Sequence, residues 1–163
     1  MAFDVVTYSP KDVSLAFSGY VLTGWNTITV SRSTNAYTTV RGIRGKNTRV
    51  RNPDTSATIS FSCLQTSDSN DIMSSIHAID IATGSARIEL TLKDASGTSL
   101  FSSKEAYIQG YPEATFSGDF SYRVWTINCL TTESTWNVGG NSKGETAIFD
   151  SAVGFVGDTL SNL

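Results

Sequence analysis

His77, Cys63 and Cys129 are the side chains of this sequence whose chemistry is most often used in catalysis or metal binding. His77 is the only histidine, which excludes a site built from several histidines. It follows Ile76 in a predicted helix, where a hydrogen-bonded or half-exposed histidine is much commoner than a catalytic one. Pairing of Cys63 with His77 as nucleophile and base stays open, although no flanking residue resembles a nucleophile site.

The carboxylates and glycine-rich segments do not form a recognisable catalytic motif. Gly42-Ile43-Arg44-Gly45-Lys46 lacks the spacing of a P-loop, and Gly139-Gly140 is not followed by a suitable helix start. The carboxylates that could be considered are scattered: Asp68, Asp71, Glu105 and Asp119. Because nucleophile, base and orienting group cannot all be named, we expect no enzymatic activity, no cofactor and no metal.

Five of the twelve basic residues are concentrated in one short segment without an acidic residue. They are Arg41, Arg44, Lys46, Arg49 and Arg51. Gly42, Gly45 and Asn47 predict a loop or a strongly bent strand pair within residues 40–54. Three interpretations stay open: a solvated surface loop, a phosphate-binding patch, and a docking loop whose Arg side chains pair with carboxylates of another subunit.

The overall charge favours the docking interpretation. The formal net charge is -3 and the isoelectric point is about 5.0, which argues against general nucleic-acid binding. An acidic molecule with one basic segment is complementary to copies of itself. Head-to-tail contacts of this kind produce rings if they close and filaments if they do not.

Apolar side chains alternate with polar ones along several short segments, which predicts half-buried β-strands. The alternating sets are Ala57, Ile59, Phe61 and Cys63; Ile88, Leu90 and Leu92; and Trp125, Ile127 and Cys129. Turn sequences such as Asn52-Pro53-Asp54 and Ser117-Gly118-Asp119 separate these segments. The pattern predicts a mostly β chain, folded as an antiparallel β-sandwich or partly open barrel.

Two helices are predicted beside the strands, all within a single domain spanning residues 1–163. The central one follows the N-cap candidates of residues 67–71, carries Ile72, Ile76 and Ile79 at helical spacing, and ends near Gly84. A C-terminal helix over residues 146–161 is predicted from an apolar stripe: Ile148, Phe149, Ala152, Val153, Val156 and Leu160. That stripe packs on its own subunit or on a neighbour.

Residues 1–4 lack the basic region and the following apolar run of a secretion signal, and no stretch reaches the roughly 20 apolar residues of a membrane span. We therefore expect a soluble intracellular protein without a membrane anchor. Its two cysteines are expected to be reduced core thiols.

One family resemblance runs through most of the chain, and its most specific part is Val40-Arg41-Gly42-Ile43-Arg44-Gly45-Lys46-Asn47-Thr48-Arg49-Val50-Arg51-Asn52. Further matching segments are residues 3–5, 8–13, 24–25, 54–59, 64–67, 105–108, 110–112, 116–120 and 138–141. With these segments, from about Phe3 to Asn141, the chain resembles the tail tube proteins of contractile-tailed bacteriophages.

The resemblance implies a virion structural protein, related in fold to the type VI secretion tube protein. Its subunits would form hexameric rings that stack into a tube inside a contractile sheath. The expected partners are copies of itself, the tail sheath protein, the tape measure protein and the baseplate. DNA would pass through the lumen without specific binding, so we expect a neutral or acidic lumen wall. The protein would be assembled in the host cytoplasm and belong to the virion tail, with the basic segment contacting a neighbouring subunit or ring.

Other functions stay open on the sequence. A tube-like baseplate protein or a tail terminator would share the fold but end the tube. A carbohydrate-binding β-sandwich could use Trp25, Trp125 and Trp136 as stacking platforms, although the strand pattern favours a core position for Trp125. A single-strand nucleic-acid binder could combine aromatic residues with the basic segment, against the acidic isoelectric point.

Overall fold

The computed structural model describes residues 8–132 and 136–140. The predicted C-terminal helix over residues 146–161 lies outside these residues. The described elements are a 3-10 turn at Pro10–Asp12, the helix α1 (Ser69–Thr83) and the strands β1 (Val13–Phe17), β2 (Tyr20–Val21), β3 (Trp25–Arg32), β4 (Tyr37–Arg41), β5 (Asn47–Arg51), β6 (Ala57–Leu64), β7 (Ile88–Asp94), β8 (Leu100–Ile108) and β9 (Tyr122–Thr131).

Seven of the strands form one antiparallel sheet in the order β2-β1-β7-β8-β9-β6-β3, and β4 pairs only with β5. The predicted alternation is confirmed in β6 and β9. Each apolar residue of those two sets is buried, while Thr58, Ser60 and Asn128 face away from the core at half exposure. The fold is therefore mostly β and antiparallel, as the sequence predicts.

The sheet is rolled into a partly open barrel. Strands β1 and β6 are four positions apart in the sheet order, which would separate them by about 19 Å in a flat sheet. The ring centroids of Phe17 on β1 and Phe61 on β6 nevertheless lie 5.7 Å apart. Because these rings meet, the two halves of the single sheet face each other across the core, and the sheet ends at β2 and β3 without closing.

Helix α1 packs against the core through Ser69, Met73 and His77, the buried residues of its sequence. Asn70 accepts a hydrogen bond of 3.0 Å from the indole Nε1 of Trp125. The helix ends at Gly84, whose φ of 68° is the left-handed conformation typical of a helix C-terminus. The bounds of this helix were predicted correctly.

The isoleucines Ile72, Ile76 and Ile79, whose spacing predicted the helix, do not form its buried face. Ile79 is exposed, and Ile72 and Ile76 are half-buried. The hydroxyl of Ser69 sets the rotation of the helix instead, because it bonds to the Tyr20 hydroxyl at 3.0 Å and donates to the Thr23 carbonyl at 3.0 Å. No described helix is long and apolar enough to cross a membrane.

Candidate functional site

The five predicted assembly residues lie on a β-hairpin that projects from the barrel, which we call the basic hairpin (residues 37–51). Of the two shapes left open by the sequence, the strand pair is the one observed. Its turn is closed by bonds from Gly42 N to Lys46 O at 2.8 Å and from Gly45 N to Gly42 O at 2.9 Å. Gly45 has a φ of 86°, which explains a glycine at this position. Every residue from 37 to 51 is exposed.

The base of the basic hairpin is fastened to the barrel by backbone and Asp54 contacts. Asn52 N donates to Ala36 O at 2.7 Å, and Arg32 donates to Asp54 O at 3.0 Å. The Asp54 carboxylate accepts a 2.9 Å bond from Ser56 N, and the Ser56 bonds lower the pKa of Asp54. The hairpin thus extends outward from a fixed base.

One face of the basic hairpin carries charge. Cross-strand pairing sets Tyr37 opposite Arg51, Thr39 opposite Arg49, and Arg41 opposite Asn47. The Arg49 guanidinium carbon lies 4.1 Å from the Tyr37 ring centroid, and Arg41 Nε donates to Asn47 Oδ1 at 2.9 Å. Arg41, Arg49 and Arg51 therefore share this face, whereas the turn carries Arg44 and Lys46.

The opposite face of the basic hairpin is apolar. Here Thr38 pairs with Val50 and Val40 pairs with Thr48. Val40 is 57% exposed and Val50 is 46% exposed, while Ile43 in the turn is fully exposed. Sequence analysis missed this second face, although the alternation of Val and Arg in Arg49-Val50-Arg51 carries its signal.

A second group of exposed apolar side chains lies where the connection between β8 and β9 meets β9. We call it the aromatic surface and define it by Tyr111, Glu113, Phe120, Tyr122 and Val124. Phe120 and Tyr122 pack edge to face with ring centroids 5.4 Å apart. Tyr111 and Val124 line a groove of about 320 Å³, and Glu113, Tyr122 and Val124 line a second of about 250 Å³. Val124 joins the two grooves.

Arg123 fixes the connection between β8 and β9, which carries the aromatic surface. This side chain is buried, and its guanidinium donates to Ser121 Oγ at 2.8 Å and to Thr115 O at 3.5 Å. Gln65 Oε1 accepts a bond of 3.1 Å from Ser121 N. The surface is therefore fixed in place rather than built on a free loop. It was not predicted from the sequence.

A third surface lies on the outer face of β3, β6, β9 and β8, where two cross-strand rows carry hydroxyl and amide groups and no charged side chain. We call these rows the hydroxyl face: Ser31, Thr58, Asn128 and Tyr107, then Thr29 and Ser60. Asn128 donates to the Tyr107 hydroxyl at 3.3 Å. Among the described residues, β3 is the last strand on this side of the sheet, and its outer backbone groups have no strand partner there.

The two cysteines and the histidine considered for catalysis are buried, whereas the four scattered carboxylates are exposed. Burial raises the pKa of both the Cys63 and Cys129 thiols to about 11, which opposes the thiolate that a nucleophile requires. His77 is buried edge-on against Tyr111 with ring centroids 4.5 Å apart, and its Nδ1 has no hydrogen-bond partner within residues 8–132 and 136–140. These same residues contain no group of three or more potential metal ligands.

The three tryptophans considered for sugar stacking differ in exposure. Trp125 is buried in the core, as predicted, and Trp25 packs against the core at half exposure. Trp136 meets Phe101 edge to face with ring centroids 5.0 Å apart. Burial removes Trp125 as a stacking platform, whereas Trp25 lines an open groove of about 370 Å³.

Comparison with known proteins gives one curated relative of nearly equal length. Structural protein ORF10 of Pseudomonas phage KPP10 is 36% identical over 161 residues, which covers 92% of each chain. No protein-family model matches the sequence.

Solved structures share the fold at low sequence identity. A chain in the tail of an empty GTA particle, determined with C6 symmetry, has a TM-score of 0.56 at 14% identity and covers 81% of this chain and 100% of its own. The sheath/tube terminator of the PVC extracellular contractile injection system, in its extended state, has a TM-score of 0.52 at 12% identity, covering 80% and 98%. A chain of the PVC sheath-tube complex scores 0.51 at 12% identity, covering 78% and 90%.

Proposed function

Because the chain belongs to the phage structural proteins represented by ORF10 of Pseudomonas phage KPP10, and is thus a virion component, we propose that it is the tail tube subunit. In this proposal, six copies form a ring and the rings stack into the tube of a contractile tail. The single observation that carries it is the basic hairpin, which projects fully exposed from the partly open barrel. A fixed projection that makes no packing contact with the rest of the described residues fits a head-to-tail contact that repeats along a tube.

The open edge at β3 supports ring formation. β3 has eight residues and no strand on its outer side within residues 8–132 and 136–140, whereas β2 at the other edge has two residues. A long unpaired edge is an aggregation hazard unless another strand covers it. Pairing of β3 with a neighbouring copy would satisfy its backbone groups and continue the sheet around a ring.

The hydroxyl face supports a lumen for DNA. It continues across the strands next to the open edge, so a ring closed through β3 would join six such faces into one wall. A wall of Ser, Thr and Asn side chains gives DNA no cation to bind and therefore lets it pass. DNA would be conducted without specific binding, and the chain's role is mechanical rather than catalytic.

The remaining partners follow from the same proposal. The tail sheath protein would surround the tube, and the tape measure protein and baseplate would define its length and starting point. The basic residues Arg41, Arg44, Lys46, Arg49 and Arg51 would serve as assembly contacts. The protein would be assembled in the host cytoplasm and function in the virion tail.

Negative-stain electron microscopy of the purified protein over a range of concentrations tests this function. The tube proposal predicts hollow tubes that lengthen as the concentration rises. Single rings that never stack, even with purified baseplate added, would contradict it and favour a terminator, a function that the fold alone does not distinguish from a tube subunit. Monomers that form tubes only after baseplate is added would support a tube subunit that requires an initiator.

A further inference from the structure

We propose that the apolar face of the basic hairpin docks on the aromatic surface of a second copy of this chain. This inference rests on the proposed assembly function and identifies the receptor of its projecting hairpin. The contact would place Val40 and Val50 of one subunit against Tyr122 and Val124 of the other. It is a heterologous contact, because two different surfaces of the same chain meet.

The first argument is the distribution of exposed apolar side chains. Among the described residues, nine of the fifteen large exposed apolar side chains lie in two segments. The basic hairpin has Tyr37, Val40, Ile43 and Val50, and the segment from 111 to 124 has Tyr111, Phe116, Phe120, Tyr122 and Val124. Exposed apolar groups of this size are typical of interaction sites. Mutual burial removes both groups from water in one contact.

The second argument is shape. The Val40–Val50 face belongs to a narrow two-stranded ribbon, and the aromatic surface offers two joined grooves of about 320 and 250 Å³. Val124 lies where the grooves join, with Tyr122 on one side. The Tyr and Val side chains that line these grooves, beside polar residues such as Gln109 and Thr115, suit the short branched side chains of a strand.

The third argument is charge. The basic hairpin has five cations and no anion, and its turn presents Arg44 and Lys46 beside Ile43. Glu113 borders the same groove as Tyr122 and Val124, is exposed, and forms no ion pair within the described residues. The one cation of that segment, Arg123, is buried and bonded inward. The surfaces are thus complementary in charge as well as in polarity.

Engineered cysteines test the contact directly, because the native thiols do not compete. Cys63 and Cys129 are buried, with their pKa raised to about 11. We expect the double variant Val50→Cys/Val124→Cys to give a ladder of disulfide-linked oligomers under mild oxidation. The matched control is Val50→Cys/Val21→Cys, since Val21 on β2 is equally exposed but lies outside the aromatic surface.

A charge exchange tests the rim of the same contact. Glu113→Lys is expected to raise the critical concentration for assembly by on the order of tenfold, because it sets like charges against the hairpin turn. Combining it with Lys46→Glu and Arg44→Glu should bring the critical concentration back toward the wild-type value. Circular dichroism of each variant verifies that the monomer is folded.

The outcomes separate this inference from the tube proposal. Tubes of the Val50→Cys/Val124→Cys variant that give no disulfide ladder would overturn the docking contact and leave the tube function standing. A ladder in the absence of tubes, even with purified baseplate added, would support the contact and contradict the tube function. Equal ladders from the Val124 and Val21 pairs would overturn the contact, since they would reflect random collision.

Discussion

The guanidinium of Arg49 stacks on the ring of Tyr37, with 4.1 Å between the guanidinium carbon and the ring centroid. The two residues lie on adjacent strands of the basic hairpin, on its charged face, and Tyr37 is diagonal to Arg49 in the register. This contact fixes the direction of an Arg side chain before any partner arrives. The position of this positive charge therefore depends on the backbone shape of the hairpin.

We expect Tyr37→Ala to weaken assembly by freeing Arg49. An exposed cation–π contact contributes about 0.5–1 kcal/mol, which corresponds to roughly a two- to fivefold rise in critical concentration. Sedimentation of assembled material at increasing protein concentration measures this change. Tyr37→Phe keeps the ring face and should behave as wild type, and an equal defect in both variants would show that the hydroxyl rather than the stacking matters.

The double variant Arg44→Glu/Arg49→Glu should prevent assembly at concentrations on the order of ten times the wild-type critical value, while the monomer stays folded. Both side chains are exposed and outside the core, so their reversal removes the attraction to an acidic partner without disturbing packing. Electron microscopy and thermal unfolding measure the two effects. Lys11→Glu/Lys93→Glu changes the net charge equally at exposed positions of the barrel and should assemble. Tubes of normal length from the hairpin variant would refute the docking role.

Arginine on the hydroxyl face should make tubes retain DNA. Ser60 on β6 lies between its cross-strand partners at the centre of this face, and Ser60→Arg would set one cation there in every subunit. We expect tubes that bind DNA at low salt and release it as salt rises, because the attraction is to phosphate. Measurement of DNA that cosediments with tubes at several salt concentrations tests this. Ser60→Asn is larger than serine but uncharged, and should retain none.

The native cysteines should be unreactive toward a thiol reagent at pH 8. Their pKa is raised from 9.0 to about 11 by burial, so the folded state disfavours the thiolate. The thiol pKa is higher in the folded state than in the unfolded chain. Its contribution to the stability of the fold is therefore fully present below pH 9 and is lost as pH rises from about 9 toward 11. Reaction kinetics in native and denaturing buffer, and denaturant unfolding across this pH range, measure both effects. Rapid native modification of both thiols at pH 8 would contradict the prediction, and Cys63→Ala and Cys129→Ala identify the thiol concerned.

Local patterns in the sequence were sufficient for the elements of the core. Side chains that alternate on a strand must point to opposite sides, so Ile59, Phe61, Trp125 and Ile127 were correctly predicted to be buried. The same reasoning located α1 and its end at Gly84. It did not show that Ile79 is exposed, because the orientation of a helix depends on what it packs against, and here Ser69 bonds to distant Tyr20 and Thr23.

The sequence by itself therefore determined the class of fold, the strand faces, the concentration of cations in residues 41–51 and the family. These depend on neighbours along the chain, where residue type and spacing suffice. Only the tertiary structure decided that the sheet rolls until Phe17 meets Phe61, that Arg49 stacks on Tyr37 across a hairpin, and that Tyr111 and Val124 line one groove. Each of these depends on contacts between residues that are separated along the chain. Their spacing in the sequence does not give the distance between them in the fold.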